Sequence, residues 1–105
     1  MNTKTYKVIE DGIEYTIEEH SSGNKYWWFN GKRHRINKPA CECVSGTKYW
    51  WFNNKSHRIN GPAIEFANGD KYWYLNGKEY SKKEYYRELV EKGLITKKDA
   101  FIELI

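Results

Sequence analysis

Three short aromatic runs punctuate an otherwise polar chain, at residues 26–29, 49–52 and 72–75, and each leads into Asn-Gly or Asn-Asn and then a lysine. A run of this length, rich in rings that suit a pleated surface and closed by residues tolerant of positive φ, predicts a strand entering a tight hairpin turn. The strand is expected over residues 25–30, with the turn at Asn30-Gly31 and its counterparts at Asn53-Asn54 and Asn76-Gly77. A short return through residues 34–36 follows. Asn37-Lys38-Pro39 and Asn60-Gly61-Pro62 then interrupt pairing, because proline donates no hydrogen bond to a ladder. A second strand, over residues 40–44 or 63–67, leads to the next turn.

The whole block recurs at a fixed offset of 23 residues, starting at Gly23, Gly46 and Gly69. Such a period predicts stacked supersecondary units that cannot bury an apolar face alone. Residues 1–22 form a degenerate leading hairpin, with strands over 6–10 and 13–19 about Asp11-Gly12. Units at 23–45, 46–68 and 69–80 follow. After Lys78 the pattern changes to a helical spacing of Tyr85, Leu89 and Val90. Ser81 and Glu84 have the spacing of a capping box, and Gly93 supplies the stop. Thr96 opens a second short helix carrying Phe101, Leu104 and Ile105. The expected fold is therefore mainly β with an α-helical C-terminus: one domain, a single-layer array of hairpin repeats capped by one or two short helices over 81–105.

Strand alternation divides the rings. Trp27, Phe29, Trp50, Phe52, Trp73 and Leu75 share one parity and are assigned to the core, since the third unit exchanges Phe for Leu there. Tyr26, Trp28, Tyr49, Trp51, Tyr72 and Tyr74 share the other, and the same unit exchanges Trp for Tyr. These six are the candidate binding rings, because Trp and Tyr anchor interfaces; cross-strand stacking that stiffens the sheet is the competing role. Cys41 and Cys43 stand where Ile64 and Phe66 stand one unit later, so both are expected as buried apolar thiols. Glu42 and Glu65 are expected on the opposite face, paired with arginines of neighbouring units. His34-Arg35 and His57-Arg58 form a repeated polar pair. They either bond carbonyls freed by the proline or, with Lys32 and Lys55, capture phosphate or carboxylate groups.

Composition narrows the classes further. The chain has 105 residues, 39% hydrophobic and 17% aromatic, so large rings must supply much of the core. Eighteen basic against 14 acidic residues give a formal charge of +4, which permits an anionic partner without requiring one. No stretch has the length of a membrane helix, the N-terminus lacks an apolar signal core, and the two cysteines suit a reducing compartment, so a cytoplasmic, non-membrane protein is expected. No nucleophile, phosphate loop or metal-ligand spacing appears, so neither enzyme nor cofactor is expected. His34 and His57 as an acid–base pair of a nuclease is the weakest reading.

The motif Gly-x-Lys-Tyr-Trp-x-x-Asn-Gly-Lys-x-His-Arg-x-x-Gly-Pro-Ala, over residues 23–80, resembles the MORN-like repeats of small bacteriophage proteins. The resemblance implies an elongated hairpin array acting as a scaffold or binder. A phage origin would further imply a protein that binds and inhibits a host defence factor in the host cytoplasm. The leading expectation is thus a non-enzymatic module that masks a host protein through its outward rings. The alternative is a nucleotide or nucleic-acid binder, with rings stacking bases and Arg35, Arg58 and lysines holding phosphates. A homodimer through the exposed rings or the C-terminal helices is the expected assembly.

Overall fold

The computed structural model describes residues 2–105. Its leading hairpin pairs β1 (Thr3–Glu10) with β2 (Ile13–His20) antiparallel about a turn at Asp11 and Gly12, both at positive φ. β2 pairs in turn with β3 (Lys25–Phe29), the first aromatic strand, which turns through Asn30 and Gly31 into β4 (Lys32–Arg33). β5 (Cys41–Glu42), β6 (Lys48–Tyr49), β7 (Trp51–Phe52), β8 (Lys55–Ser56) and β9 (Ile64–Glu65) are two residues each. β10 (Lys71–Leu75) and β11 (Lys78–Tyr80) close the sheet, whose order is β1-β2-β3-β5-β6-β9-β10-β11, with β4 beside β3 and β7–β8 as a separate ribbon. The chain ends in α1 (Lys82–Glu91) and α2 (Lys97–Leu104). This is the expected mainly antiparallel open sheet with two short terminal helices.

The strands after the first unit are shorter than the sequence pattern suggests, because loop backbone carries much of the pairing. Trp27 donates to Ala40 and Trp50 to Ala63, while His34 and His57 donate to the carbonyls of Trp27 and Trp50. Arg35 and Arg58 donate to Trp51 and Tyr74 in the following unit. Pro39 and Pro62 have no N–H to extend a regular ladder, so the expected strands over residues 40–44 and 63–67 contract to their middle pairs.

The loops from His34 to Ala40 and from His57 to Ala63 fold back over one face of the sheet. Tyr15, Ile17, Trp27 and Ala40 pack beneath the first loop, and Ala63 is fully buried beneath the second. The Tyr15 hydroxyl accepts the Ile36 N–H at 3.1 Å. In the second loop that fastening comes from α1: the Tyr85 hydroxyl donates to the Arg58 carbonyl and accepts the Gly61 N–H at 3.2 Å. α1 itself packs Tyr85, Tyr86 and Leu89 against Leu75, with Trp73 and Tyr80 at the margin. Ser81 caps it by accepting the Glu84 N–H and donating to the Glu84 carboxylate, and Gly93 leaves it at φ 72°.

The assigned core needs correction at three rings. Trp27, Trp50 and Leu75 are buried, but Phe29 and Trp73 are only half-buried and Phe52 is 39% exposed. Phe52 lies between the imidazoles of His34 (4.2 Å) and His57 (5.7 Å) at the hairpin margin, beyond the cover of the loops. In α2 only Ala100 is buried, and Phe101, Ile102, Leu104 and Ile105 are exposed. The radius of gyration, 15.0 Å, exceeds the roughly 13 Å of a compact chain this long, and the extents of 46 × 32 × 20 Å describe an elongated slab.

Candidate interaction face

Pairing register assembles the outward rings into rows. Tyr26 lies opposite Glu18 on one side and Cys41 on the other; Cys41 lies opposite Tyr49, Tyr49 opposite Ile64, and Ile64 opposite Tyr72. Opposed residues in a sheet share a face, so these six side chains cross it in one line. With about 4.8 Å between strands, the line is about 24 Å long. Trp28, Trp51 and Tyr74 stand two residues further along their strands on the same face, and Cys43 and Phe66 two residues beyond Cys41 and Ile64. Among the described residues the loops and α1 pack on the opposite side.

The rings pack against one another. Tyr49 and Trp51 stack at 5.4 Å and 9°, and Phe66 meets both Tyr49 and Tyr72 edge to face. Tyr26 is edge-on to His20. Glu18 accepts from the Trp28 indole at 3.1 Å and bonds His20 at 2.7 Å. Tyr72 and Phe66 are 37% and 38% exposed, and the other five rings are half-buried. This mutual burial pushes the phenols of Tyr26, Tyr49 and Tyr74 above the ordinary 10.0, leaving them neutral donors and acceptors.

Arg33 belongs to the same face, as the register partner of Trp28 across the Asn30-Gly31 turn. Its guanidinium sits 4.6 Å from the centre of the Trp51 ring, 5.5 Å from Trp28 and 5.7 Å from Tyr26. Cation–π contacts of this kind add about 0.5–2 kcal/mol each, depending on desolvation. The sequence pattern did not single out Arg33, because the later units place Ser56 and Glu79 at its position. Its parity with Trp28 was the available signal.

The thiols beneath the rings differ. Cys41 is buried by Tyr26 and Tyr49, whereas Cys43, expected buried as well, is half-exposed past the end of its strand. Their sulfurs are 3.5 Å apart. Burial, then the neighbouring Cys43, pushes the Cys41 thiol up to about 12.

Of the remaining candidates, Arg35, Arg58, His34 and His57 lie on the covered face. Arg35 stacks on Trp27 at 3.9 Å, donates to the Pro39 carbonyl at 3.0 Å and to Glu42 at 3.3 Å, and grips both oxygens of Glu10 at 2.9 and 2.7 Å. Arg58 repeats the stack on Trp50 at 3.8 Å and donates to the Pro62 carbonyl and to Glu65, both at 3.0 Å. Glu42 and Glu65 thus pair with the arginine of their own unit, not of a neighbour as the sequence suggested. The turn after Arg35 brings its guanidinium back over the strand of the same repeat. His34 and His57 accept the Asn53 and Asn76 N–H groups of the next unit through Nδ1, at 3.1 and 2.9 Å. Lys32 and Lys55 lie exposed on the hairpin returns, opposite Phe29 and Phe52. The twelve candidates therefore divide into six rings on the open face, two covered His-Arg pairs, and two exposed lysines.

Among the described residues no three of His, Cys, Asp and Glu gather as metal ligands, and no helix is long and apolar enough to cross a membrane. The chain matches no protein-family model, no curated protein and no solved structure.

Proposed function

We propose that this chain is a non-enzymatic binding module that engages the surface of a partner protein through Tyr26, Trp28, Arg33, Tyr49, Trp51, Tyr72 and Tyr74. The observation that carries the reading is the asymmetry of the sheet: loops and α1 cover one face, and on the other Tyr26, Tyr49 and Tyr72 stand along about 19 Å of sheet, with Trp28, Trp51 and Tyr74 beside them. Trp, Tyr and Arg are the residues that most often dominate interface energetics. Rings held in place by one another lose little rotamer freedom on binding. The resemblance to MORN-like phage repeats adds that the partner is a host protein, one that the module masks or inhibits.

A protein partner is favoured over a nucleotide by how the rings are already engaged. Base stacking needs an open ring face. The stack of Tyr49 on Trp51, the edges of Phe66, and Arg33 between Trp28 and Trp51 take up the faces within the row. A flat partner surface can lie across the ring edges without inserting.

Comparative capture from host lysate tests this. Proteins retained by the wild type are expected to disappear from a Trp28→Ala/Trp51→Ala double variant that keeps its melting profile. Retention undiminished by the double variant would refute the proposal. Ring-dependent binding of mono-, di- or cyclic nucleotides, seen as quenched Trp fluorescence and a raised melting temperature, would replace it with the nucleotide reading.

A further inference from the structure

The arginines of the two loops make the same contacts but for one. Each guanidinium stacks on its own tryptophan, donates through Nη1 to a proline carbonyl four residues on, and shares that nitrogen with a glutamate seven residues on. Each backbone N–H then donates to the next unit. The exception is the outer edge of the fork. In Arg35, Nε and Nη2 hold the two carboxylate oxygens of Glu10, and Lys38 approaches the same carboxylate at 3.9 Å. In Arg58, Nε and Nη2 have no acceptor among the described residues, and neither atom is buried. The Arg58 side chain is 27% exposed against 8% for Arg35.

Glu10 has no counterpart in the second unit because it comes from the leading hairpin, which occurs once. The first loop runs where that hairpin would lie. Between it and the second loop is a cavity of about 200 Å³, whose lining includes both Arg58 and Arg35, with His57, Trp50, Ile36 and Ile59. His57 accepts the Asn76 N–H through Nδ1, so its neutral tautomer carries the proton on Nε2 as a further donor. Position 61 reinforces the difference. Lys38 becomes Gly61, and a Cβ there would come within 2.6 Å of Arg58 Cζ, so glycine lets the guanidinium lie against the loop.

We infer that this inter-unit cavity is a carboxylate-binding site, in which Arg58 Nε and Nη2 take an external carboxylate as Arg35 takes that of Glu10. The chain supplies its own template for the ligand: an unbranched aliphatic carboxylate, met by a planar two-donor fork over a tryptophan. The apolar walls accommodate the methylene stem. The carboxylate comes either from a small free acid or from a Glu side chain of a bound protein. This site is on the face opposite the rings and does not depend on them.

Butyrate, which matches Glu10 from Cα to its carboxylate, is the direct probe, with butyramide as its uncharged counterpart. In ¹⁵N-labelled protein the Arg58 Nε–H resonance should shift saturably with butyrate, with a dissociation constant on the order of millimolar. The Arg35 resonance should shift far less, because its Nε and Nη2 are held by Glu10 although the residue lines the same cavity, and butyramide should move neither. The backbone amides of Asn37 and Ile59, which line the cavity, should shift with butyrate in parallel, and Arg58→Lys, which keeps the charge but removes the fork, should abolish their saturable shift. Should that variant fail to fold, Glu10→Ala provides the reciprocal test, because it removes the carboxylate and empties the space before the first fork, and should make Arg35 respond to butyrate as Arg58 does. A heptapeptide with one central Glu, compared with its Gln form, identifies the source. Peptide binding at least tenfold tighter than butyrate assigns a protein side chain, and equal affinity assigns a free acid. An Arg58 resonance unmoved by butyrate in the folded wild type, or moved equally by butyramide, would overturn the inference.

Discussion

Protonating His34 or His57 is harder in the fold than in the open chain, because burial lowers both below the ordinary 6.5 and each Nδ1 already accepts a backbone N–H. Above pH 6.5 both states are neutral and the bonds are intact. As pH falls below 6.5 the unfolded chain takes up protons first, so stability declines until the lowered folded values are passed. Melting temperature followed from pH 7.5 to 5 should therefore fall, and His34→Asn/His57→Asn, which offers an amide oxygen as acceptor, should flatten the curve. Glu10 acts lower on the scale. Its bonds to Arg35 hold it below the ordinary 4.5, so its contribution is present above that value and lost as pH drops through the lowered one. Cys41 should resist iodoacetamide at pH 8 in the native protein, since its thiol is pushed up to about 12, and react once unfolded. Parity made the outward rings and the burial of Trp27, Trp50 and Leu75 legible in the sequence. It could not place Phe52, whose cover depends on where the loops end, nor the partners of Arg35, since Glu10 is 25 residues away and outside the repeat.

At the scale of elements, the repeat is held by loop-to-strand contacts more than by long ladders. α1 does for the second loop what Tyr15 does for the first, so Tyr85 fastens helix and array together. Tyr85→Phe leaves the Arg58 carbonyl and the Gly61 N–H without this hydroxyl and should cost about 1–3 kcal/mol. Ser81→Ala removes the cap alone and should cost about 1 kcal/mol. Chemical denaturation of the two variants checks both values, and Tyr85→Phe should show the larger loss. The helices and the Asn-Gly turns were readable because capping and positive φ are local demands on particular residues. The two-residue strands were not, because their length is set by pairing with backbone from loops 13 residues away, as in the bond from Trp27 to Ala40.

The molecule as a whole is a slab with one face closed and one open. The repetition that builds the array also writes the open face, since every turn of the period returns two rings to it. The sequence carried the division of faces, but not the insertion of Arg33 between the rings, which needs the register across a hairpin. On our proposal, partner binding uses this open face. Hydroxyl-radical footprinting of the captured complex, read residue by residue against the free protein, tests it most directly. Protection is predicted at Tyr26, Trp28, Tyr49, Trp51, Tyr72 and Tyr74, with Phe101 unchanged. Protection confined to the loops or to the C-terminal helices, with the six rings as reactive as in the free chain, would contradict it.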